Sequence, residues 1–150
     1  AGLGATHAAG RTTGPDHPPE RLMPGVTYDT GALLAAERDD RTLWYRHRGL
    51  IEAGHLPVVP APVVAQAWRG RGPRQANLAR FLQGCRIEPM DERRARAVGV
   101  LAARSGHDDI VDVAVVEGAA RRRDRVLTAD PDDLRRVAAA VDGEIRIEVV

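Results

Sequence analysis

Four aspartates occupy positions where the side chains of an α/β protein can gather around a ligand. Asp29 follows the run Gly-Val-Thr-Tyr, Asp109 and Asp112 open an apolar helix, and Asp130 follows Val-Leu-Thr-Ala. If the strands are parallel neighbours, these carboxylates meet outside the carboxyl ends of the strands. Carboxylates about 4 Å apart repel each other by roughly 4 kcal/mol at an effective dielectric constant near 20, so such a cluster needs a cation. Oxygen ligands suit Mg²⁺ or Mn²⁺, and the sequence predicts a site for one of these ions.

Two of the first three aspartates, Asp29 and Asp109, have a structural alternative. Asp29 can cap the helix that follows, but Thr30 could cap that helix alone, which favours a ligand site at Asp29. A solvated first turn explains Asp109. Asp112 lies three residues later on the same helical face, where a charge within an apolar segment is unfavourable unless it is paired or coordinated.

Asp130 has the strongest structural alternative. It precedes Pro131, and Asp132 and Asp133 add negative charge to the first turn of the next helix, which complements the helix dipole. Thr128 can donate its hydroxyl to a phosphate oxygen or to a water on the metal, or it can simply fill a strand position. Taken alone, Asp130 and Thr128 are explained at least as well by structure as by function.

The elements that would position these residues alternate between strand and helix from Gly25 onward. Strands are predicted at residues 25–28, 56–59, 85–88, 125–128 and 145–149. Helices are predicted at 30–37 and, with Thr42 as the cap, from residue 42 to a stop at Gly54. Two more run from Pro62 to a break at residues 70–73 and from that break to Gly84. Asp91 is predicted to cap a helix that runs to about Ser105 and is ended by Gly106. The last two run from Asp109 to Ala120 and from Asp130 to about Ala140. Because helices keep falling between strands, the pattern favours a three-layer α/β/α sandwich with a mostly parallel central sheet.

Composition narrows the class of protein. The 150 residues carry a net charge of +1, and all 22 basic residues are arginines. The single cysteine, Cys85, excludes an internal disulfide and Cys-rich zinc motifs, and it is expected to begin a buried strand. The sequence contains neither a membrane-length apolar stretch nor a secretory signal, so we expect no membrane association and a cytoplasmic protein. Residues 1–24 are predicted to be a disordered leader whose His7 and His17 bind no metal, before a folded domain at 25–150.

The order of the acidic residues resembles the PIN-domain ribonucleases. The matching segments are Tyr-Asp-Thr-Gly-Ala-Leu around Asp29, Asp-Val-Ala-Val-Val from Asp112, and Leu-Thr-Ala-Asp ending at Asp130. The chain from about residue 25 is similar to this family, and within it to the toxins of VapBC-type toxin–antitoxin pairs. The resemblance implies an α/β/α sandwich with an acidic pocket that binds Mg²⁺ or Mn²⁺ and cleaves RNA. It assigns catalytic and metal-binding roles to these three aspartates and matches Thr128 to the family's hydroxyl residue.

One acidic residue of the family pattern is absent. The family has a glutamate on the helix after the second strand, and the matching residue here is Gln66. Its amide oxygen can face a cation or hold a water, but it brings no charge, so metal binding should be weaker unless Asp109 replaces the missing ligand. Two hypotheses follow. One is a metal-dependent ribonuclease that serves as a toxin, and the other is a catalytically lapsed PIN-like domain that binds RNA or protein.

The resemblance also suggests roles for the residues around the metal. Asp29 and Asp112 would hold the ion, while Asp109 and Asp130 would bind a second ion or orient the attacking water. Arg69 lies in a loop broken by glycine and proline and could grip the RNA backbone, although a solvated surface charge explains it equally well. The family further implies a small antitoxin partner and a homodimer.

Three other functions of α/β proteins lack their required residues. A phosphoacceptor receiver domain needs a lysine, and this chain has none. A haloacid-type phosphatase needs a second aspartate two residues after the first, where Gly31 stands. A dinucleotide-binding domain needs a glycine-rich turn after the first strand, which Asp-Thr-Gly-Ala does not provide.

Overall fold

The computed structural model describes residues 24–150, so nearly all of the predicted leader, with His7 and His17, lies outside the described residues. In this part of the chain the strands are β1 (Val26–Tyr28), β2 (Val58–Pro60), β3 (Arg86–Glu88), β4 (Arg125–Thr128) and β5 (Ile147–Val149). The helices are α1 (Thr30–Glu37), α2 (Arg41–Glu52), α3 (Ala61–Ala67), α4 (Pro73–Gln83), α5 (Glu92–Ser105), α6 (Ile110–Arg122) and α7 (Asp132–Ala138). No helix among them is both long and apolar enough to span a membrane.

The five strands form one sheet in the order β3-β2-β1-β4-β5, and every pairing is parallel. The contacts of α1 with α2, α3 and α4 group these helices on one face, and α5, α6 and α7 contact one another on the other face. The predicted α/β/α sandwich is therefore confirmed. The chain leaves β1 toward β2, whereas β4 returns on the opposite side of β1. This reversal of strand order opens a crevice at the carboxyl ends of β1 and β4.

Local signals set most of the helix boundaries. Asp91 caps α5 by accepting a hydrogen bond from the backbone N–H of Arg94, and Gly106 ends the helix in the left-handed conformation at φ 64°, both as predicted. The predicted cap of α2 at Thr42 is wrong, because Asp40 accepts from the backbone N–H of Leu43 and the helix begins one residue before Thr42.

The expectation that Cys85 begins a buried strand is also wrong. The strand starts one residue later and lies at the edge of the sheet, with Arg86 and Ile87 exposed. Cys85 itself is partly buried, and its thiol donates to the carbonyl oxygen of Phe81. An edge strand pairs with a neighbour on one side only, so its residues are more accessible to solvent than those of the central strand β1.

An aromatic cluster fills the core on the α1–α4 side of the sheet. Tyr28 and Phe81 are fully buried with ring centroids 5.0 Å apart, and His47 stacks on Phe81 at 4.0 Å. The Tyr28 hydroxyl and His47 Nδ1 are 3.0 Å apart. Burial lowers the pKa of His47 to about 4, so its ring is neutral at pH 7. Tyr28 is the last residue of β1, so its packing against Phe81 and His47 holds the carboxyl end of this strand in place.

A second buried cluster is ionic, and we call it the Arg122 network. The guanidinium of Arg122 donates to Glu88 at 2.5 Å, to Asp124 at 2.8 Å and to the hydroxyl of Thr27 at 2.9 Å. Thr27 in turn donates to Asp124 at 2.8 Å. A Cβ at Gly118 would lie 2.9 Å from the guanidinium, so a larger residue at this point of α6 would displace the end of the Arg122 side chain. The network ties the C-terminus of α6 to β1 and β3.

Candidate metal centre

Asp29 and Thr128 meet in the crevice between the ends of β1 and β4. Asp29 Oδ1 accepts a hydrogen bond from the backbone N–H of Ala32 at 2.9 Å and thereby caps α1, while Oδ2 accepts from the Thr128 hydroxyl. Asp29 is 5% exposed and Thr128 is fully buried. The carboxylate therefore serves both of the roles weighed from the sequence, as a helix cap and as a buried group at the switch point. Two hydrogen bonds hold its orientation.

Asp112 lies in the first turn of α6 and is partly buried. Its Oδ2 is 3.0 Å from Nε2 of His107, which belongs to the loop between α5 and α6. His107, Asp112 and Asp133 each offer one ligand atom, and the three atoms lie within 4.8 Å of one another. Asp112 thus belongs to a group of ligand atoms with His107 and Asp133, and its charge also acts on Asp29 in the crevice.

Asp109 and Asp130 lie at the exposed edge of this region. Asp109 is the N-cap of α6, and its Oδ1 accepts from the backbone N–H groups of Val111 at 2.9 Å and Asp112 at 3.4 Å. Asp130 does not cap α7, whose N-cap position is Pro131. Instead its backbone N–H donates to the hydroxyl oxygen of Thr128 at 2.9 Å, and its carbonyl oxygen lies 3.1 Å from the same oxygen. These contacts hold the backbone of Asp130 against the end of β4, and the residue is exposed.

Gln66 adjoins the site, whereas Arg69 does not. The Gln66 amide oxygen accepts from the hydroxyl of Thr30 at 2.5 Å, and Thr30 directly follows Asp29. The guanidinium of Arg69 donates to the carbonyls of Trp68 at 2.8 Å and Ala65 at 3.4 Å. The side chain therefore folds back on the end of α3, and within residues 24–150 no hydrogen bond joins it to the acidic residues.

The two central carboxyls have raised pKa values. Burial is the main cause for Asp29, whose pKa rises to about 6, and the charge of Asp112 adds to the effect while the bonds from Thr128 and Ala32 oppose it. Burial also raises the pKa of Asp112, assisted by the charge of Asp109 and opposed by the bond to His107. Each of these carboxyls is thus harder to ionise than an exposed aspartate.

A divalent cation fits this set of donors. Elsewhere in the described chain the partly or fully buried carboxylates of Glu88, Asp124 and Glu148 each contact an arginine. Within the same range of residues no arginine contacts Asp29 or Asp112. The protein contains no lysine that could take the place of an arginine. No arginine therefore compensates the charge of Asp29 or Asp112, and Asp112 has the imidazole of His107 beside it instead. Oxygen donors converging from separate elements suit Mg²⁺ or Mn²⁺.

We expect this electrostatic arrangement to make the metal-free protein less stable as pH rises from about 4 to about 6. Above its unfolded-state pKa of 3.8, Asp29 loses a proton in the unfolded chain but keeps it in the folded chain until about pH 6. Folding then binds a proton, so rising pH favours unfolding through this window. Since one pKa unit corresponds to about 1.4 kcal/mol, the effect of Asp29 is on the order of 3 kcal/mol.

Urea denaturation in a chelator at several pH values measures this dependence. The matched variant is Asp29→Asn, which has the same shape and no titrating proton. Its free energy of unfolding, relative to the unchanged protein, should increase between pH 4 and pH 7. A difference that stays constant over this range would contradict the raised pKa.

Sequence reasoning missed His107 and Asp133 as possible ligands. Asp133 was assigned to the first turn of α7, and His107 lies five residues before Asp112 in a loop without an evident pattern. Only the packing of α7 beside the start of α6 brings them together. A histidine next to two consecutive aspartates in a Gly-His-Asp-Asp loop was the one available signal.

In sequence the chain matches no family model. It likewise matches no curated protein. Solved structures, by contrast, share its fold. VapBC2 from Rickettsia felis, crystallised with a DNA fragment from the promoter, superposes with a TM-score of 0.63 at 14% identity over 83% of this chain and 98% of that chain.

Two further solved structures are similar. DNA-bound VapBC from Salmonella typhimurium gives a TM-score of 0.61 at 17% identity, over 85% of this chain and 98% of that chain. PAE2754 from Pyrobaculum aerophilum gives a TM-score of 0.55 at 17% identity, over 82% and 83% of the two chains. At identities this low, the structural similarity establishes the fold alone. That fold agrees with the resemblance found in the sequence. The chain therefore has the fold of a VapC-type PIN domain.

Proposed function

We propose that this protein is a Mg²⁺- or Mn²⁺-dependent endoribonuclease and the toxin of a type II toxin–antitoxin pair. The observation that carries the proposal is that Asp29 and Asp112 have no arginine partner among the described residues, although the charge of Asp112 raises the pKa of Asp29. A protein that only needed structural charges here could have paired them with arginine, as it does at Glu88. The choice of RNA as substrate rests on the family resemblance.

The roles of the residues follow from their positions. Asp29 and Asp112 would hold the cation, and Thr128 would orient Asp29 through its buried hydroxyl. The exposed carboxylates of Asp109 and Asp130 would bind a second ion or accept a proton from the attacking water. When bound, the cation would polarise the scissile phosphate and lower the pKa of a water molecule.

Substrate contacts are proposed outside the acidic pocket. The amide oxygen of Gln66 already accepts from Thr30, so its amide NH₂ group would donate to a water or a phosphate oxygen beside Asp29. Arg69 is exposed and would have to leave the carbonyls at the end of α3 in order to reach the RNA backbone. Both hydrogen bonds are exposed to solvent, where water can replace the carbonyls as acceptors, so this rearrangement costs little free energy.

Incubation of the full-length protein with total cellular RNA tests the proposed reaction. We expect discrete cut ends, mapped by sequencing, in the presence of Mn²⁺ or Mg²⁺ and none with a chelator. Saturable Mn²⁺ binding without any cut ends would instead support the alternative, a lapsed domain that binds RNA or protein. The position of Gln66, with its amide oxygen already bonded to Thr30, is the observation that favours this alternative.

The partners are proposed on the same basis. The similar structures from Rickettsia felis and Salmonella typhimurium are VapBC assemblies bound to DNA. By analogy, this chain would act in the cytoplasm, form a homodimer and be neutralised by a small antitoxin. A short neighbouring reading frame whose product co-purifies with this chain and suppresses its RNA cleavage would support the assignment.

A further inference from the structure

Three ligand atoms converge beside the proposed catalytic pocket from three separate segments of the chain. His107 comes from the α5–α6 loop, Asp112 from the first turn of α6, and Asp133 from the first turn of α7. Nε2 of His107 and Oδ2 of Asp112 are 3.0 Å apart, with 15% and 22% of the side chains exposed. All three atoms lie within 4.8 Å of one another. Ligands held about 2.1 Å from one ion lie at most about 4.2 Å apart, so only small movements would bring the set onto one ion.

Helix capping does not account for this convergence. The N-cap of α6 is Asp109, and the end of that helix therefore does not need His107 or Asp112 as a cap. Among the described residues Asp133 makes one ion pair, with Arg136 at 3.5 Å, in which the Asp133 and Arg136 side chains are 51% and 75% exposed. An exposed pair of this kind contributes at most about 1 kcal/mol, so Asp133 is free to exchange it for a cation.

We propose that His107 and Asp133 join Asp112 as ligands of the divalent cation, so that the metal centre of this protein includes one nitrogen donor. The inference deepens the proposed function, because it specifies the ligands and metal preference of the same pocket. Asp112 would connect the two sides of the site, with one oxygen toward His107 and its charge close to Asp29. Asp133 would supply the negative charge that Gln66 does not bring.

A nitrogen ligand changes which ion binds best. Mg²⁺ prefers oxygen ligands and retains its waters, whereas imidazole suits transition-metal ions and binds them more tightly. A centre made of His107, Asp112 and Asp133 should therefore prefer Mn²⁺ to Mg²⁺. A pocket built on aspartates alone would show a smaller preference.

Electron spin-echo spectroscopy of the Mn²⁺-loaded protein tests the nitrogen ligand directly. We expect a hyperfine coupling from a directly bound imidazole nitrogen, absent in His107→Gln and retained in the control His55→Gln. His55 lies in the loop before β2, remote from this cluster in the fold. A coupling that persists in His107→Gln, a Mn²⁺ signal without nitrogen coupling, or no Mn²⁺ binding would each overturn the inference.

Calorimetric titration with Mn²⁺ and Mg²⁺ tests the other ligand and the selectivity. Asp133→Asn should weaken Mn²⁺ binding by at least about tenfold, whereas Asp132→Asn, one residue earlier in an exposed ion pair with Arg135, should not. His107→Asp replaces nitrogen by oxygen and should reduce the preference for Mn²⁺ over Mg²⁺ by at least about tenfold. Equal Mn²⁺ affinities for the two Asn variants, or an unchanged preference in His107→Asp, would contradict the proposed ligands.

The inference and the proposed function can fail separately. Nitrogen coupling that depends on His107 in a protein that cuts no RNA would support the metal centre and count against the ribonuclease. Metal-dependent RNA cleavage without nitrogen coupling would support the ribonuclease and count against His107 as a ligand.

Discussion

Asp112→Asn should reduce RNA cleavage by on the order of 10³-fold. A metal ion stabilises the charge that develops on a phosphate by several kcal/mol, and each 1.4 kcal/mol corresponds to a factor of ten in rate. Asn removes the charge at the residue that connects the two sides of the pocket while preserving its size. Asp29→Asn should have an effect of similar size, since Asp29 is the buried carboxylate at the end of β1.

Stability measurements separate this loss of activity from unfolding. Burial and neighbouring charge raise the pKa of both Asp29 and Asp112, so in the absence of metal an amide at either position relieves an unfavourable charge. Each variant should therefore unfold in urea at the same or a higher concentration than the unchanged protein at pH 7. Asp108→Asn is the matched control, because it removes the same charge from an exposed position in the loop just before α6.

The rate should be measured with Mn²⁺ on one RNA substrate for all three variants. Cleavage by Asp112→Asn and Asp29→Asn at the rate of the unchanged protein would remove both residues from the mechanism. A loss of activity in Asp108→Asn of the same size would show that the effect comes from general charge rather than from the pocket.

The fold was predictable because its signals are local. The cap at Asp91 and the left-handed end at Gly106 bracket α5 without reference to any other part of the chain. Short apolar strands that alternate with helices along the chain predict a parallel sheet covered by helices. Where a boundary depended on an unusual backbone conformation, as at Asp39 with φ 61°, the sequence was misleading and the cap of α2 was assigned to Thr42 instead of Asp40.

The site was only partly predictable, since its composition depends on tertiary packing. Asp29 and Asp112 could be named as candidates from the sequence, because a carboxylate at a strand end or within an apolar helix is unfavourable on its own. Asp133 looks like an ordinary first-turn residue of α7, and His107 belongs to no motif. Their proximity to Asp112 depends on how α7 packs beside α6, which no short segment encodes.

The second large effect concerns stability, and it is expected for Arg122→Ala. Arg122 is 12% exposed and Asp124 is 7% exposed, so removing the guanidinium leaves a buried carboxylate without its counter-charge. Breaking a buried ion pair in this way destabilises a protein by about 3–5 kcal/mol, a large part of the stability of a domain this size. Urea denaturation in a chelator should show this decrease. Arg96→Ala is the control, because the Arg96–Glu92 pair is about 80% exposed and should contribute less than about 1 kcal/mol.

A double variant tests the cause of this loss. Asp124→Asn retains an acceptor for the Thr27 hydroxyl and removes the buried charge. If the unpaired carboxylate causes most of the destabilisation, Arg122→Ala combined with Asp124→Asn should be more stable than Arg122→Ala alone. Equal or lower stability of the double variant would show that the arginine acts mainly through packing and through its bonds to Glu88 and Thr27, because the charge of Asp124 would then contribute little.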